Sequence, residues 1–158
     1  MNYAIEIDRV IDDEQLATAF ALAEQLITAA PDNAEAWSKL AHVHEMNEDF
    51  AKASNAASAA LKISPDHPAF LFKKGYLKYR LGSYVDAANL FGLCVERSEA
   101  IHDAYYLDAA RIAQARCLVL DGCAELAANV IALAEANSAT WLDKRFSKQE
   151  VLESIRTV

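Results

Sequence analysis

Residues 31–67 read PDNAEAWSKLAHVHEMNEDFAKASNAASAALKISPDH, an alanine-rich stretch with the same dipeptide near both ends. Pro31-Asp32 opens the stretch and recurs as Pro65-Asp66. A fixed period of this kind is the signature of repeat architectures, in which each structural repeat packs mainly on its neighbours. The stretch therefore predicts one complete repeat.

Large and small side chains occupy fixed positions within this repeat. In the first complete repeat they are Trp37, Leu40, Ala41, His44, Ala53, Ala57 and Pro65. Moving along the chain by the spacing of the two Pro-Asp pairs gives a second set, Leu71, Gly75, Ala87 and Phe91. A small residue at Ala41 or Gly75 would let two helices approach closely, while large residues such as Phe91 would fill the space between repeats. Two sets in register predict at least two consecutive repeats.

This pattern resembles the tetratricopeptide repeat, W-x2-L-G-x2-Y followed by A-x3-F and then P. The departures are Ala41 for the glycine, His44 for the tyrosine and Ala57 for the phenylalanine. The resemblance implies an all-α fold, a tetratricopeptide-repeat superhelix of helix-turn-helix units with a C-terminal capping helix. It also implies that the first helix of each repeat, helix A, lines a concave groove, and that the second, helix B, forms the convex surface.

The repeat period divides the chain into one domain with five segments. We expect a degenerate first repeat at 1–33, complete repeats at 34–67 and 68–101, a longer repeat at 102–137 and a capping helix at 138–158. The longer repeat follows from the spacing of Gly82 and Gly122, which exceeds the spacing of Pro31 and Pro65. Its helix A should run from about Asp103 to Leu120.

Both ends of the chain are expected to cover the core of a terminal repeat. Near the C-terminus, Ser147 to Glu150 fits the S-x-x-E capping box, and an apolar stripe of Val151, Leu152 and Ile155 follows. We expect a final helix there that covers the open core face of the last repeat. At the N-terminus, residues 2–11 are expected to form a degenerate helix A or a cap.

The composition favours an ordered, helical chain without a surface for nucleic acid or membranes. The chain has 158 residues, 54% of them hydrophobic, with only four glycines and three prolines. Its formal net charge of −8 opposes binding to nucleic acid or anionic membranes, because phosphate binding needs clustered lysines and arginines. No apolar run approaches the roughly 18 residues of a membrane-spanning helix, and the N-terminus is acidic where a secretion signal is basic. We expect a cytoplasmic protein without membrane insertion, whose Cys94, Cys117 and Cys123 are reduced thiols.

The resemblance assigns groove positions on each helix A. They are Ser38, His42, Glu45 and Met46 in the first complete repeat, Phe72, Tyr76, Tyr79 and Arg80 in the second, and Ile112 and Arg116 in the longer one. Phe72, Tyr76 and Tyr79 share one helical face and would form an exposed aromatic patch suited to a peptide. Lys74 and Lys78 stand where the family prefers apolar residues, so the sequence leaves open whether the three aromatic side chains face the groove or the core.

No residue pattern indicates a catalytic, cofactor or metal site. His42 and His44 are two residues apart and point to different faces of a helix, whereas a helical zinc pair needs a spacing of four. Gly82 and Gly122 stand alone, without a phosphate-binding motif around them. We therefore expect a chain that is not an enzyme and has no cofactor and no metal, with one histidine in the core and the other in the groove.

The leading hypothesis for function is an interaction module that binds a peptide or helical segment of a partner protein in the groove. Two alternatives stay open. The small size, acidity and groove aromatic residues are also similar to class II chaperones of type III secretion, which hold a hydrophobic translocator segment. The other alternative is a structural unit that associates with itself through its terminal helices, as a homodimer.

Overall fold

The computed structural model describes residues 6–7, 9–10 and 15–157, which belong to two compact units. The N-terminal unit is Met1–Pro65 and the C-terminal unit is Asp66–Val158. Within each unit, consecutive helices pack against each other, in agreement with the helix-turn-helix prediction. No helix among the described residues combines the length and the apolar character that crossing a bilayer would need.

Three helices form most of the N-terminal unit: α1 at Leu16–Ala29, α2 at Ala34–Met46 and α3 at Phe50–Ile63. Asparagine and aspartate side chains fix where two of them begin, because these side chains satisfy backbone amides that a helix N-terminus leaves unpaired. The Asn33 carboxamide oxygen accepts from the Glu35 amide at 2.9 Å, and the Asp49 carboxylate accepts from the Lys52 amide at 3.1 Å. Each cap lies directly before the first turn of its helix.

Small apolar side chains bury the contacts between these helices. Ala19 and Ala23 of α1 are fully buried and pack in one cluster with Val43 of α2. The same cluster contains Ile7 and Val10, which lie in a helical segment at residues 6, 7, 9 and 10. This segment agrees with the predicted short N-terminal helix, of which residues 2–5, 8 and 11 lie outside the described residues.

The C-terminal unit begins with four helices that continue the pattern. They are α4 at Pro68–Arg80, α5 at Tyr84–Ala100, α6 at Ala104–Leu120 and α7 at Ala124–Ala132. Asp103 caps α6, whose span confirms the predicted longer helix A. The added residues also lengthen α5, which has 17 residues where α3 has 14. The extra residues between Gly82 and Gly122 are therefore shared between α5, in the second complete repeat, and α6, in the longer one.

A close approach between α4 and α5 explains the glycine of the second repeat. A Cβ atom at Gly75 would lie 2.9 Å from Cε1 of Phe91, whose ring is fully buried. Such a distance is shorter than real Cβ contacts allow, so any side chain here would displace the ring. The predicted role of Gly75 as a contact between helices is confirmed.

Residues 138–147 are not helical, and this part of the predicted capping helix is wrong. They form a hairpin of two strands, β1 at Ala139–Trp141 and β2 at Arg145–Ser147, which pair antiparallel with Thr140 opposite Phe146. Thr140 and Phe146 are buried while Trp141 and Arg145 are exposed. The side chains alternate between two faces with the period of two that defines a strand, and this period overrides helix formation here.

The final helix, α8 at Lys148–Ile155, begins where the sequence predicted. Ser147 donates its amide hydrogen to a Glu150 carboxylate oxygen at 2.8 Å, and its hydroxyl oxygen accepts from the Glu150 amide at 3.2 Å. This capping box is confirmed. The helix packs against α6 and α7, and Lys148 donates to the backbone carbonyl oxygens of Ala132 and Ala134. Those carbonyls end α7, where a cation complements the helix dipole.

Candidate functional site

In the N-terminal unit, the predicted groove residues lie on one side of α2. Ser38, His42 and Glu45 are half-buried, and the Met46 side chain is 47% exposed; these four residues are called the α2 face below. Nδ1 of His42 lies 3.4 Å from Oε2 of Glu45, one turn further along the helix. The other side of α2 buries Ala36, Ala41 and Val43. The α2 face therefore offers an apolar end beside a polar pair.

His44 has a different environment from His42. Its ring packs edge-on against Phe20 of α1, with the ring centroids 4.9 Å apart. Burial is the main reason why the pKa of His44 is lowered, so the imidazole is held in its neutral form. One histidine thus packs between helices and the other lies on the α2 face. Among the described residues, no group of three or more histidine, cysteine or carboxylate side chains is arranged to hold a metal ion.

In the C-terminal unit, the predicted groove residues lie on α4 and α6. The set is called the α4–α6 face below and comprises Phe72, Tyr76, Tyr79, Arg80, Ile112 and Arg116. Phe72 is half-buried, and its ring centroid lies 5.2 Å from that of Phe91 and 5.5 Å from that of Tyr106. These contacts join α4, α5 and α6. Phe72 therefore belongs to an aromatic cluster between helices.

Tyr76 and Arg80 form a pair one turn apart on α4. A guanidinium nitrogen of Arg80 donates to the Tyr76 hydroxyl at 2.7 Å. On the other side, Nζ of Lys73 lies 5.9 Å from the centroid of the Tyr76 ring, within the range of a cation–π contact. All three side chains are half-buried. The prediction that Phe72 and Tyr76 share an exposed aromatic patch is thus wrong. Phe72 packs among helices, and Tyr76 is half-buried beside two cationic side chains.

Tyr79 is covered by the C-terminal hairpin. Its side chain is only 8% exposed, and its hydroxyl donates to Oδ1 of Asp143 at 2.7 Å. Asp143 lies in the turn between β1 and β2. The positive charge of Arg116 of α6 acts on the same hydroxyl, and its guanidinium carbon lies 4.9 Å from the centroid of the Phe146 ring. The hairpin is therefore fixed to both A helices of this unit.

Ionisation of the Tyr79–Asp143 pair follows from this packing. Burial, followed by the hydrogen bond to Asp143, raises the pKa of Tyr79 to about 12. Burial by itself would raise the pKa of Asp143, but the bond from Tyr79, two backbone amides and the charge of Arg116 together lower it. At neutral pH the pair is a hydroxyl that donates to a carboxylate. A hydrogen bond with one ionised partner is among the stronger kinds.

Ile112 is fully buried, so its predicted place on an open groove is wrong. The hairpin and α8 both pack against α6, the helix that contains Ile112. The turn of the hairpin covers Tyr79, whose hydroxyl donates to Asp143. Arg116 is half-buried and contacts the chain's own C-terminal segment. The α4–α6 face is thus partly covered by residues of the same molecule.

Lys74 and Lys78 do not disrupt the core. Nζ of Lys78 lies 2.8 Å from a carboxylate oxygen of Asp86, in the first turn of α5. The pKa of Lys74 is lowered, first by burial and then by the charge of Lys78. Both lysine side chains are half-buried, while Leu71 and Leu77 of the same helix are buried. The apolar packing of α4 therefore lies on a different stripe from the lysines.

A second anchor holds the segment that leads into the hairpin. The Asp108 carboxylate accepts from the Ser138 hydroxyl at 2.7 Å and from the Glu135 amide at 3.1 Å. Arg111 donates to the Leu133 carbonyl oxygen at 3.1 Å. Sequence reasoning missed this anchor and Asp143. The alternating stretch TWLDKRF, typical of a hairpin, was the signal that could have indicated them.

The cysteines are poor candidates for covalent chemistry. Cys94 and Cys117 are fully buried, and burial raises the pKa of the first to about 11 and of the second to about 12. A thiol is reactive as its thiolate, which is scarce at neutral pH when the pKa is this high. Cys123 is exposed. All three are free thiols, in agreement with the prediction.

Comparisons with solved structures place this geometry in a known fold. YrrB, a TPR protein with an unusual peptide-binding site, is 19% identical with a TM-score of 0.69; the alignment covers 82% of this chain and 64% of YrrB. MamA is 12% identical with a TM-score of 0.72, over 98% of this chain and 77% of MamA. The Sgt2 TPR domain from Aspergillus fumigatus is 19% identical with a TM-score of 0.62, over 86% of this chain and 85% of that domain.

The present chain spans less than two thirds of the length of YrrB. A comparison with curated proteins found no match. The family model for the tetratricopeptide repeat matches residues 10–71, a range that includes α1, α2 and α3. With the repeated helix pairs, the likeness to these structures shows the all-α tetratricopeptide-repeat fold, and residues 10–71 are similar to the repeat of that family.

Proposed function

We propose that the chain is a protein-interaction module that holds a peptide segment of another protein against the faces of its A helices. The observation that carries this proposal is the hairpin, a short non-helical segment that lies against α4 and α6. This packing supports the proposal, because a non-helical segment of the chain itself lies on A helices. The peptide-binding site of YrrB, a protein of the same fold, supports the same function.

The α2 face is the proposed docking surface of the N-terminal unit. Met46 is 47% exposed, and a flexible thioether adapts to different apolar partners. His42 and Glu45 lie one turn before it and add a hydrogen-bonding pair. The chain has a net charge of −8, which favours a partner segment with positive charge. The proposed ligand is therefore an apolar side chain flanked by basic residues.

On the α4–α6 face, Tyr76 and Arg80 remain proposed contacts. Both are half-buried, and the hydrogen bond between them presents a ring and a guanidinium group together. Tyrosine and arginine, together with tryptophan, are enriched among the residues that dominate binding energy at protein interfaces. Tyr79, Ile112 and Arg116 would contact a partner only after the hairpin has moved away.

The proposal is tested by selecting random displayed peptides against the full chain and measuring their affinity by fluorescence anisotropy. Met46→Ala should weaken the selected peptides by roughly tenfold, which corresponds to about 1.4 kcal/mol. Leu93→Ala is a matched control, because Leu93 is 41% exposed but lies on α5, a B helix. The Leu93→Ala chain should bind the selected peptides with the affinity of the wild type. If no peptide is enriched, or if both variants lose affinity equally, the proposal is wrong.

A further inference from the structure

We propose that the hairpin turn, residues 142–146, is a built-in ligand of the α4–α6 face, and that this face binds a partner segment of the same chemistry in competition with it. That chemistry is a leucine and an aspartate followed, three residues after the aspartate, by an aromatic residue. The inference rests on the proposed function and adds the class of partner and its regulation.

The contacts of the hairpin define what the face recognises. Tyr79 donates to the Asp143 carboxylate, and Arg116 adds a positive charge beside it. The Arg116 guanidinium lies over the Phe146 ring at 4.9 Å, the geometry of a cation–π contact. Leu142 is buried next to Asp143 in the sequence. Tyr79 of α4 and Arg116 of α6 thus recognise the carboxylate, and Arg116 also contacts the aromatic ring. The aliphatic side chain is buried.

A turn brings these three groups to the same side. The Leu142 amide donates to the Lys144 carbonyl oxygen at 2.9 Å, which closes a tight loop between the strands. Trp141 pairs with Arg145 and Thr140 pairs with Phe146, so Phe146 lies on the second strand opposite the residues that precede the turn. A partner therefore needs the spacing Leu-Asp-x-x-Phe and a local sequence that can form a turn.

Within the part of the chain that the structure describes, the hairpin packs through the face that contains Thr140, Leu142 and Phe146. Trp141 is 71% exposed and Arg145 is exposed, on the opposite face from Thr140 and Phe146. Each strand has three residues, and an isolated two-stranded hairpin is marginally stable at best in water. Segments of low local stability open without global unfolding of the protein. The hairpin is therefore placed like a ligand that can leave its site.

Tethering determines how strongly the hairpin competes. A segment joined by a short linker has an effective concentration of the order of millimolar at its site. A free partner must overcome this concentration before it binds. The hairpin should therefore reduce the apparent affinity of the face, and any change that loosens the hairpin should increase it.

The test uses a fluorescent peptide with the sequence of residues 138–148 and three full-length chains. The wild type should bind it weakly. Asp143→Ala, which removes the acceptor of the Tyr79 hydroxyl from the tethered hairpin, should bind at least roughly tenfold more tightly. Adding Arg116→Ala to that variant should abolish the gain. A control peptide with asparagine and alanine in place of its aspartate and phenylalanine should bind none of the chains.

Several results would overturn the proposal. Equal binding to the wild type and to Asp143→Ala would show that the hairpin does not compete. No binding to Asp143→Ala, with its helical circular dichroism intact, would show that the face has no affinity for this chemistry. If Asp143→Ala does not fold, Asp143→Asn takes its place, because it keeps the size of the side chain and removes the carboxylate from the hairpin while the face stays intact. Peptide affinity of Asp143→Asn no greater than that of the wild type would then count against the proposal.

A second copy of the chain is the alternative occupant, and light scattering separates it from a foreign partner. A dimer that forms by exchange of hairpins and is dissolved by Phe146→Ala would overturn the proposal as stated. Failure of this inference is distinguishable from failure of the proposed function. Met46→Ala should leave binding of the 138–148 peptide unchanged. If only the hairpin proposal is wrong, the peptides that depend on Met46 should still bind the wild type.

Discussion

The α2 face and the α4–α6 face occupy equivalent positions in their repeats but differ in what covers them. Glu45 near the end of α2 is half-buried, whereas Tyr79, the equivalent residue of α4, is 8% exposed beneath the hairpin. The difference does not come from the repeat residues themselves. It comes from residues 138–157, which follow the last repeat and fold back onto α6. A segment outside the repeat pattern can therefore decide which faces of the repeats are accessible.

The largest expected effect is a difference in the free energy of unfolding between substitutions on the buried and on the exposed face of the hairpin. Phe146→Ala should reduce the free energy of unfolding by about 2 kcal/mol, less than the roughly 3–5 kcal/mol of a phenylalanine in an enclosed core, because the hairpin packs through one face. Trp141→Ala should change it by less than about 0.5 kcal/mol, since Trp141 is largely exposed. Urea denaturation measures both. Equal losses would show that the hairpin does not pack as described.

The second prediction concerns the close approach that positions α4. Gly75→Ala should reduce the free energy of unfolding by about 1–2 kcal/mol, because its Cβ would meet the enclosed ring of Phe91 at 2.9 Å. Gly92→Ala is the matched control on α5. Its Cβ would meet the end of the flexible Gln114 side chain, and alanine has the higher helix propensity, so stability should stay equal or rise by up to about 1 kcal/mol. Thermal unfolding distinguishes the two variants.

The third prediction compares equivalent turns after α2 and α4. Gly82 has a φ of 74°, while Glu48, at the corresponding position of the preceding repeat, has a φ of 57°. A side chain is strained in this left-handed region, and glycine is not. Glu48→Gly should therefore raise the free energy of unfolding by about 0.5–1 kcal/mol, and Gly82→Ala should lower it by a similar amount. Changes of the same sign in the two variants would contradict this account.

The fourth prediction is a pH window for the docked hairpin. Asp143 has a lowered pKa, so its contribution is present above the ordinary value of 3.8 and is lost as the pH falls through the folded-state value. Tyr79 has a pKa raised from 10.0 to about 12, so its contribution is present below pH 10.0 and is lost as the pH rises towards 12. The hairpin should loosen at both extremes. Trp141 fluorescence in a Trp37→Phe chain follows this change.

A variant without the carboxylate provides the control for this window. Asp143→Asn keeps the size of the side chain but does not titrate. Its hairpin should lack the acid transition assigned to Asp143, although Asp108 still titrates beside Ser138 and Glu135. An unchanged acid transition in Asp143→Asn would assign the effect to Asp108 instead.

The repeat residues allowed most of the fold to be predicted from the sequence. Gly75 and Phe91 are in contact as expected, α6 spans the predicted residues, and the capping box at Ser147 is present. These features depend on local sequence and on the repeat period. The secretion-chaperone and homodimer alternatives stay predictions, since each depends on a partner.

The covering of the α4–α6 face could not be predicted by the same reasoning. The family pattern places Tyr79 and Ile112 on the groove side, but it contains no information about a segment that follows the last repeat. The bond from Tyr79 to Asp143 joins residues 64 positions apart. A contact of this kind depends on the tertiary path of the chain. The alternation of Thr140, Trp141 and Leu142 indicates a strand but not the helices against which it packs.

Hydrogen–deuterium exchange on the wild-type chain tests most directly whether the hairpin is a removable occupant of the α4–α6 face. We expect amides of residues 139–147 to exchange at least roughly tenfold faster than those of residues 110–119 in α6, because the hairpin opens while the helices stay folded. Exchange of both segments at the same slow rate, through global unfolding alone, would show that the hairpin is a permanent part of the core and would contradict the account.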